Sequence, residues 1–134
     1  MWSDQEIGFW KEYLQAHHGL DGELGRLDGE FDLNIAVRVD GRLDAVLKVM
    51  RVGCESGLVG MQVEALDHLA ATMPDLPVPR IIRRHDGAAA AAVTDLSGDS
   101  RIAWVISAID GLPLGAMRPH PAALVHEIGH TLGR

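Results

Sequence analysis

The sequence predicts an α+β fold, in which a mostly antiparallel sheet of about five strands packs with helices on one of its sides. Three observations support this prediction. Apolar residues repeat at helical spacing near the start, the middle and the end of the 134-residue chain. Apolar and polar residues alternate between those segments, as in half-buried strands. Asp-Gly pairs follow several of the alternating runs and are typical of tight antiparallel hairpins.

The length and composition indicate one globular domain over residues 1–134. The chain is 47% hydrophobic and 23% charged, which is an ordinary globular balance and argues against disorder. Its net charge of −7 is unfavourable for general nucleic-acid binding. Cys54 is the single cysteine, so an internal disulfide is excluded. No apolar run reaches the roughly 18 residues of a membrane span, and the start is acidic, unlike a signal peptide. We therefore expect a cytoplasmic protein without nucleic-acid or membrane partners.

An amphipathic first helix is predicted within residues 1–19. Ser3 and Glu6 have the spacing of a capping box, in which each side chain bonds the other's main-chain amide. Gly19 ends the helical pattern. The apolar residues that follow the cap at helical spacing are Ile7, Trp10 and Leu14.

A β-hairpin is predicted next. Residues 31–39 alternate between apolar and polar, Asp40-Gly41 supplies the turn, and residues 43–50 form the return strand. Lys48 is the one cation in that otherwise apolar return strand. Such a lysine must extend to solvent or meet a polar partner. Glu64, on the following helix, is one candidate partner, and a solvated sheet face is the alternative.

The remaining elements follow from the same two periodicities. A helix is predicted over residues 56–73, with prolines after it, then strands over 80–84, 88–95 and 102–109, separated by Gly-containing turns. Residues 102–109 are almost continuously apolar, which indicates a central strand covered on both faces. A last helix follows Pro121, since Leu124, Ile128 and Leu132 repeat at every fourth position.

Several segments together resemble the aminoglycoside phosphotransferase-like kinases, a superfamily that includes choline, homoserine and hydroxylysine kinases. The resemblance covers roughly residues 20–133 and depends on the order and spacing of the segments. They are residues 27–34 (LDGEFDLN), Asp40-Gly41, residues 46–49 (VLKV), Glu64, Val78-Pro79, Asp86-Gly87 and residues 105–114 (VISAIDGLPL).

The resemblance implies an ATP site with Mg²⁺. Lys48 matches the strand lysine that contacts the ATP phosphates, and Glu64 matches the helix glutamate that positions it. The turn over residues 28–34, which ends at Asn34, would lie over the phosphates. Ser107 and Ile109 would offer a main-chain carbonyl and amide to the adenine edge.

The same resemblance implies a division of the chain. Residues 20–113 would form a kinase-like N-lobe, and residues 119–134 a helix leading to a C-lobe that is absent here. The family's catalytic aspartate, the asparagine after it and its metal-binding aspartate all belong to that C-lobe. We therefore expect no catalytic residue and no Mg²⁺ ligand in this segment, and no activity from it alone. The parent protein would transfer phosphate from ATP to a small hydroxyl- or amine-bearing acceptor, and such units also occur fused to other catalytic domains.

Residues 126–130 carry a rival motif, HExxH. On a helix it places His126 and His130 on one face as zinc ligands, with Glu127 as the general base of a metalloprotease. A catalytic zinc needs a third protein ligand, which in the metzincin pattern would fall beyond Arg134. The competing expectation is a surface histidine pair on a kinase-like helix.

A non-catalytic interaction domain is a third alternative. A lobe without its partner would expose apolar surface, which favours self-association into a homo-oligomer.

Overall fold

A computed structural model describes residues 2–109 and 120–133 of the chain. It contains three helices and one six-stranded antiparallel sheet, so the α+β prediction is confirmed. The helices are α1 (Asp4–His18), α2 (Ser56–Thr72) and α3 (Ala122–Leu132). The strands are β1 (Glu23–Leu27), β2 (Leu33–Val39), β3 (Arg42–Val49), β4 (Ile81–Ile82), β5 (Ala90–Thr94) and β6 (Ser100–Ser107).

Strand β6 joins the two halves of the sheet. The order is β1-β2-β3-β6-β4, and β5 bonds β6 on the same side as β4. Ala103, Trp104 and Val105 are all buried. Consecutive residues of a strand point to opposite faces, so burial of all three means that both faces of β6 are covered. This confirms the central strand predicted from the apolar run.

The two packed helices lie on opposite faces of the sheet, so the prediction of helices on one side is wrong. Trp10, Tyr13 and Leu14 of α1 pack on the face that carries Leu47 and Val105. The other face packs against α2 through a second apolar cluster, whose buried members are Met50, Val59 and Trp104. Both faces of β3 and β6 are apolar, so a helix must pack on each face to remove its apolar side chains from water.

Ser3 and Gly19 end α1 as predicted, but only half of the capping box is formed, because the Glu6 carboxylate contacts the Ser3 hydroxyl and not the Ser3 amide. The Glu6 amide donates a hydrogen bond to Ser3 Oγ at 3.1 Å, and the Ser3 hydroxyl lies 3.4 Å from a Glu6 carboxylate oxygen. Gly19 closes the helix in the left-handed conformation with φ 65°, which glycine adopts without steric cost. The same holds at the β2–β3 turn, where Asp40 and Gly41 have φ 52° and 79°.

The strands differ from the predicted ones chiefly in three places, and β6 begins and ends two residues earlier than predicted. The sequence pattern does not predict β1, whose five residues include Gly25 and alternate poorly. Phe31, expected in β2, lies in the β1–β2 loop and is 69% exposed. The strand expected over residues 80–84 is only Ile81–Ile82, since Arg84 bonds across the following turn to Ala88.

Helix α3 begins after Pro121, as predicted, and none of its residues is buried. Residues 110–119, which contain the predicted break after the central strand, lie outside the described residues. Among the helices described, none is long and apolar enough to span a membrane.

Candidate functional site

Lys48 lies in the middle of the sheet, on the face that α2 covers. In the β2–β3 register it stands opposite Asn34, and in the β3–β6 register it stands opposite Trp104. Its ammonium donates a hydrogen bond to Asn34 Oδ1 at 3.2 Å. The same nitrogen lies 5.9 Å from the Trp104 ring centroid, within the range of a cation–π interaction. The half-buried cation is therefore held by a neutral amide and an aromatic face.

Asn34 connects Lys48 to the β1–β2 loop. A side-chain carbon added at Gly29 would lie 2.7 Å from Asn34 Nδ2 and 2.6 Å from the Asp32 carbonyl oxygen. The loop main chain therefore approaches the Asn34 amide so closely that only glycine fits at this point. Asp32 fastens the end of the loop, since its Oδ1 accepts a hydrogen bond from the Arg51 amide at 2.8 Å.

The structure does not bring Glu64 to Lys48. The apolar face of α2 is formed by Val59, Val63 and Leu66, and Glu64 follows Val63 by one position, about 100° round the helix. Its side chain is exposed, and no described carboxylate lies within ion-pair distance of Lys48. The α2 carboxylate that does reach the sheet side is Asp67, which forms an exposed ion pair with Arg83.

Ser107 and Ile109 lie at the end of β6 in different surroundings. The Ser107 amide donates to the Arg80 carbonyl at 2.8 Å, and Ser107 Oγ accepts from the Arg80 amide at 2.8 Å. The Ala108 amide donates to the Asp44 carbonyl at 3.1 Å. Ile109 lies two residues beyond the last residue of β6 and is 59% exposed. Of the described residues at this end of β6, Ile109 is therefore the exposed one, while Arg80 occupies the edge beside Ser107.

Ile106 shares the Lys48 face and packs against the Trp104 cluster. It stands opposite Val46, two residues from Lys48. Asn34, Lys48, Trp104 and Ile106 thus lie side by side on one face across three neighbouring strands.

The HExxH residues lie on α3. His126, Glu127 and His130 are exposed there. Within residues 2–109 and 120–133, no group of three or more His, Cys, Asp or Glu side chains is placed to hold a metal ion. The described part of the chain therefore offers the two histidines without a third protein ligand.

A second polar cluster, which the sequence analysis missed, lies where the end of α1 meets the β4–β5 turn. The Arg84 side chain is 12% exposed. It donates to the Tyr13 hydroxyl at 2.8 Å, to His17 Nδ1 at 3.1 Å and to Asp86 Oδ2 at 3.2 Å. A guanidinium has no acceptor, so His17 Nδ1 accepts and the His17 ring carries its proton on Nε2. No sequence spacing signals this cluster, since Arg84 is far from α1 along the chain.

Burial, hydrogen bonding and the Arg84 charge shift the pKa values of groups in and beside this cluster. Burial raises the pKa of the Tyr13 hydroxyl, and the adjacent Arg84 guanidinium opposes that shift. Burial lowers the pKa of the His18 imidazole, and the nearby Arg84 charge lowers it further. The main-chain groups of Ile82 and Arg83 lie close to the His18 ring and act in the opposite direction, raising its pKa. Neither His18 ring nitrogen, however, makes a hydrogen bond of normal geometry to a described residue. The Ala88 amide donates a hydrogen bond to the Asp86 carboxylate. This bond, together with the adjacent Arg84 guanidinium, lowers the pKa of Asp86.

No protein-family model matches the chain. No curated protein matches it either.

Proposed function

We propose that the chain is the nucleotide-binding lobe of an ATP-dependent small-molecule phosphotransferase of the aminoglycoside phosphotransferase-like kind. The supporting observation is Lys48. It is a half-buried cation in the third strand of an antiparallel sheet, on the face covered by α2, and it is bonded to a neutral amide. A half-buried ammonium with no carboxylate partner within the described residues retains attraction for an anion.

Lys48 has donors left for a phosphate. An ammonium has three N–H donors, and one of them is taken by Asn34. In the proposed site Lys48 would neutralise phosphate charge, and Asn34 would hold the ammonium in place from the neighbouring strand. Glu64 would take up the positioning role implied by the family only after a movement of α2, so Asn34 is the better-supported positioning residue.

The adenine end of the proposed site lies at the end of β6. Ile106 shares the Lys48 face and would stand behind the base. Ile109 would offer its amide, and Ser107 its carbonyl, beside the segment that Arg80 occupies. Of the two, Ile109 is the more accessible.

The negative charge of the β1–β2 loop means that the nucleotide would bind with a divalent cation. The loop carries three carboxylates, Asp28, Glu30 and Asp32, which would repel the phosphates of a bare nucleotide. With Mg²⁺ bound to the nucleotide, the phosphate charge near this loop is reduced. We therefore expect the nucleotide to bind as its Mg²⁺ complex, with the acceptor and the catalytic groups supplied by a further lobe.

The chain contains two lysines, Lys48 and Lys11, which makes a direct test available. An ATP analogue with an acyl group on its terminal phosphate transfers that group to a nearby lysine amine. Mass spectrometry then reports the acylation at each lysine, with and without competing ATP and Mg²⁺. Lys11 lies exposed on α1 and serves as the internal control.

We expect preferential acylation of Lys48, protection of Lys48 by ATP with Mg²⁺, and no protection of Lys11. Lys48→Met should remove the protected signal, while Lys11→Met should leave it intact. Equal acylation of both lysines, unaffected by ATP, would contradict the proposal.

A further inference from the structure

We propose that the free edge of β5 is a docking site for an extended segment of a partner protein, in which apolar residues alternate with acidic ones. The segment would add a strand to the sheet beside β5. This inference does not depend on the proposed nucleotide site, because β5 lies beyond β6 from Lys48.

The main chain of β5 offers hydrogen-bonding groups at the sheet edge. The Asp95 amide donates to the Asp99 carbonyl, which makes Asp95 and Asp99 a hydrogen-bonded pair. Such pairs alternate in an antiparallel ladder, so Ala91 and Val93 bond β6. The main-chain groups of Ala90, Ala92 and Thr94 therefore point away from β6, and they have no partner among the described residues.

This edge lacks the features that normally prevent strand addition. Natural edges carry charged residues, prolines or bulges, but residues 88–94 (AAAAAVT) contain neither charge nor proline. The opposite edge of the sheet, β1, carries Glu23 and Arg26. The β5 edge is thus the unprotected one of the two.

Clefts flank β5 on both faces of the sheet. On the α2 face, a cleft of about 360 Å³ is lined by Val59, Gly60, Val63, Ile102 and the β5 alanines. On the α1 face, a cleft of about 480 Å³ is lined by Phe9, Tyr13, His17, Arg84 and Val93, with Glu12 also among its residues. Successive side chains of a strand point to opposite faces, so an added strand would place its side chains alternately in the two clefts.

The two clefts differ in chemistry, and this difference defines the occupant. The α2-face cleft has no charged lining residue, which suits apolar side chains. The α1-face cleft contains the Arg84 guanidinium, which uses three of its five N–H groups within the chain and so has two left. His17 adds an Nε2–H donor, as derived above. Two sets of free donors favour a carboxylate on the occupant.

A second copy of β5 fits these clefts less well. Its alanine side chains are too small to fill either cleft, and residues 88–94 carry no carboxylate for the free donors of Arg84 and His17. We therefore assign the site to a partner segment with larger side chains.

The experiment uses the whole 134-residue chain, labelled with ¹⁵N, and a short synthetic peptide in which valine alternates with glutamate. We expect saturable shifts of the amide signals of Ala90, Ala92 and Thr94, larger than those of Ala91 and Val93, with β1 unaffected. A peptide with glutamine in place of glutamate should bind about tenfold more weakly, because it loses the charge-assisted bonds. Ala92→Pro removes an outward amide without breaking the β6 ladder and should abolish binding.

Peptide variants keep the test valid if Ala92→Pro fails to fold. Methylating the amides of every valine, or of every glutamate, blocks alternate main-chain donors of the peptide. One of these two peptides should lose binding and the other should keep it. Unchanged binding of both methylated peptides, shifts centred away from β5, or no saturable binding would overturn the proposal. A dimer in sedimentation that protects the amides of Ala90, Ala92 and Thr94 would also overturn it, because a second copy would then occupy the edge.

Discussion

The Arg84 guanidinium donates a hydrogen bond to the Tyr13 hydroxyl across 2.8 Å, joining two residues that are 71 positions apart in the sequence. The guanidinium carbon also lies 5.8 Å from the Tyr13 ring centroid. The contact fastens the first helix to the turn between β4 and β5. It therefore links the start of the fold to the far edge of the sheet.

We predict that Tyr13→Phe lowers the free energy of unfolding by about 1 kcal/mol, since it leaves a largely buried Arg84 N–H without its acceptor. Urea denaturation measures this change. Arg83→Ala is the matched control, because Arg83 is 46% exposed and its ion pair with Asp67 is also exposed. Exposed pairs contribute about 0–1 kcal/mol. A larger loss from Arg83→Ala than from Tyr13→Phe would contradict this assignment.

His18 should make the stability of the chain depend on pH. Its folded pKa is lowered from 6.5, chiefly by burial and then by Arg84, so the unfolded chain binds more protons at mildly acidic pH. The contribution of His18 to stability is therefore complete above pH 6.5 and is lost as the pH falls below that value. His18→Met should flatten the dependence of the unfolding free energy between pH 7 and pH 5. An unchanged pH dependence in His18→Met would contradict this account.

Gly29→Ala should disturb the candidate site, and Gly25→Ala should not. A side-chain carbon at Gly29 would meet the Asp32 carbonyl at 2.6 Å and the Asn34 amide at 2.7 Å, so the loop or Asn34 must move. At Gly25 nothing lies within 4 Å. We expect a loss of about 1–3 kcal/mol for Gly29→Ala, and weaker ATP protection of Lys48. Equal effects of the two substitutions on stability and on protection would refute this account of the loop.

The Lys48–Asn34 contact should be energetically coupled. Asn34→Leu removes the acceptor of a half-buried ammonium and should destabilise the chain by about 1–2 kcal/mol. In the Lys48→Met background the same change should cost clearly less, because no ammonium is left unpaired. Unfolding of the four proteins of this double-mutant cycle measures the coupling. Additive losses would show that the two side chains act independently.

Local chemistry explains which features of the fold were predictable. Ser3, Glu6 and Gly19 act on neighbouring main-chain groups, and Asp40-Gly41 sets its own turn, so their sequence patterns suffice. The sequence did not predict which face of the sheet each helix covers. The apolar stripes on α1 and α2 show that both helices pack against the sheet, but they do not show on which face. Within the candidate site, the position of Lys48 among apolar strand residues left two alternatives, a polar partner or a solvated sheet face. The strand register, which no local sequence pattern encodes, places Asn34 beside Lys48 in preference to Glu64.

The position of β6 between β3 and the β4–β5 side determines when the sheet can form during synthesis. β3 is complete at Val49, but the strand that bonds its open edge begins only at Ser100. β4 and β5 bond β6 alone among the described strands, so they have no strand to join until it has been made. A chain still emerging from the ribosome can therefore form at most a three-stranded sheet, with β3 as an unpaired edge. Folding is completed by contacts distant in sequence, which form slowly and leave the nascent chain open to aggregation.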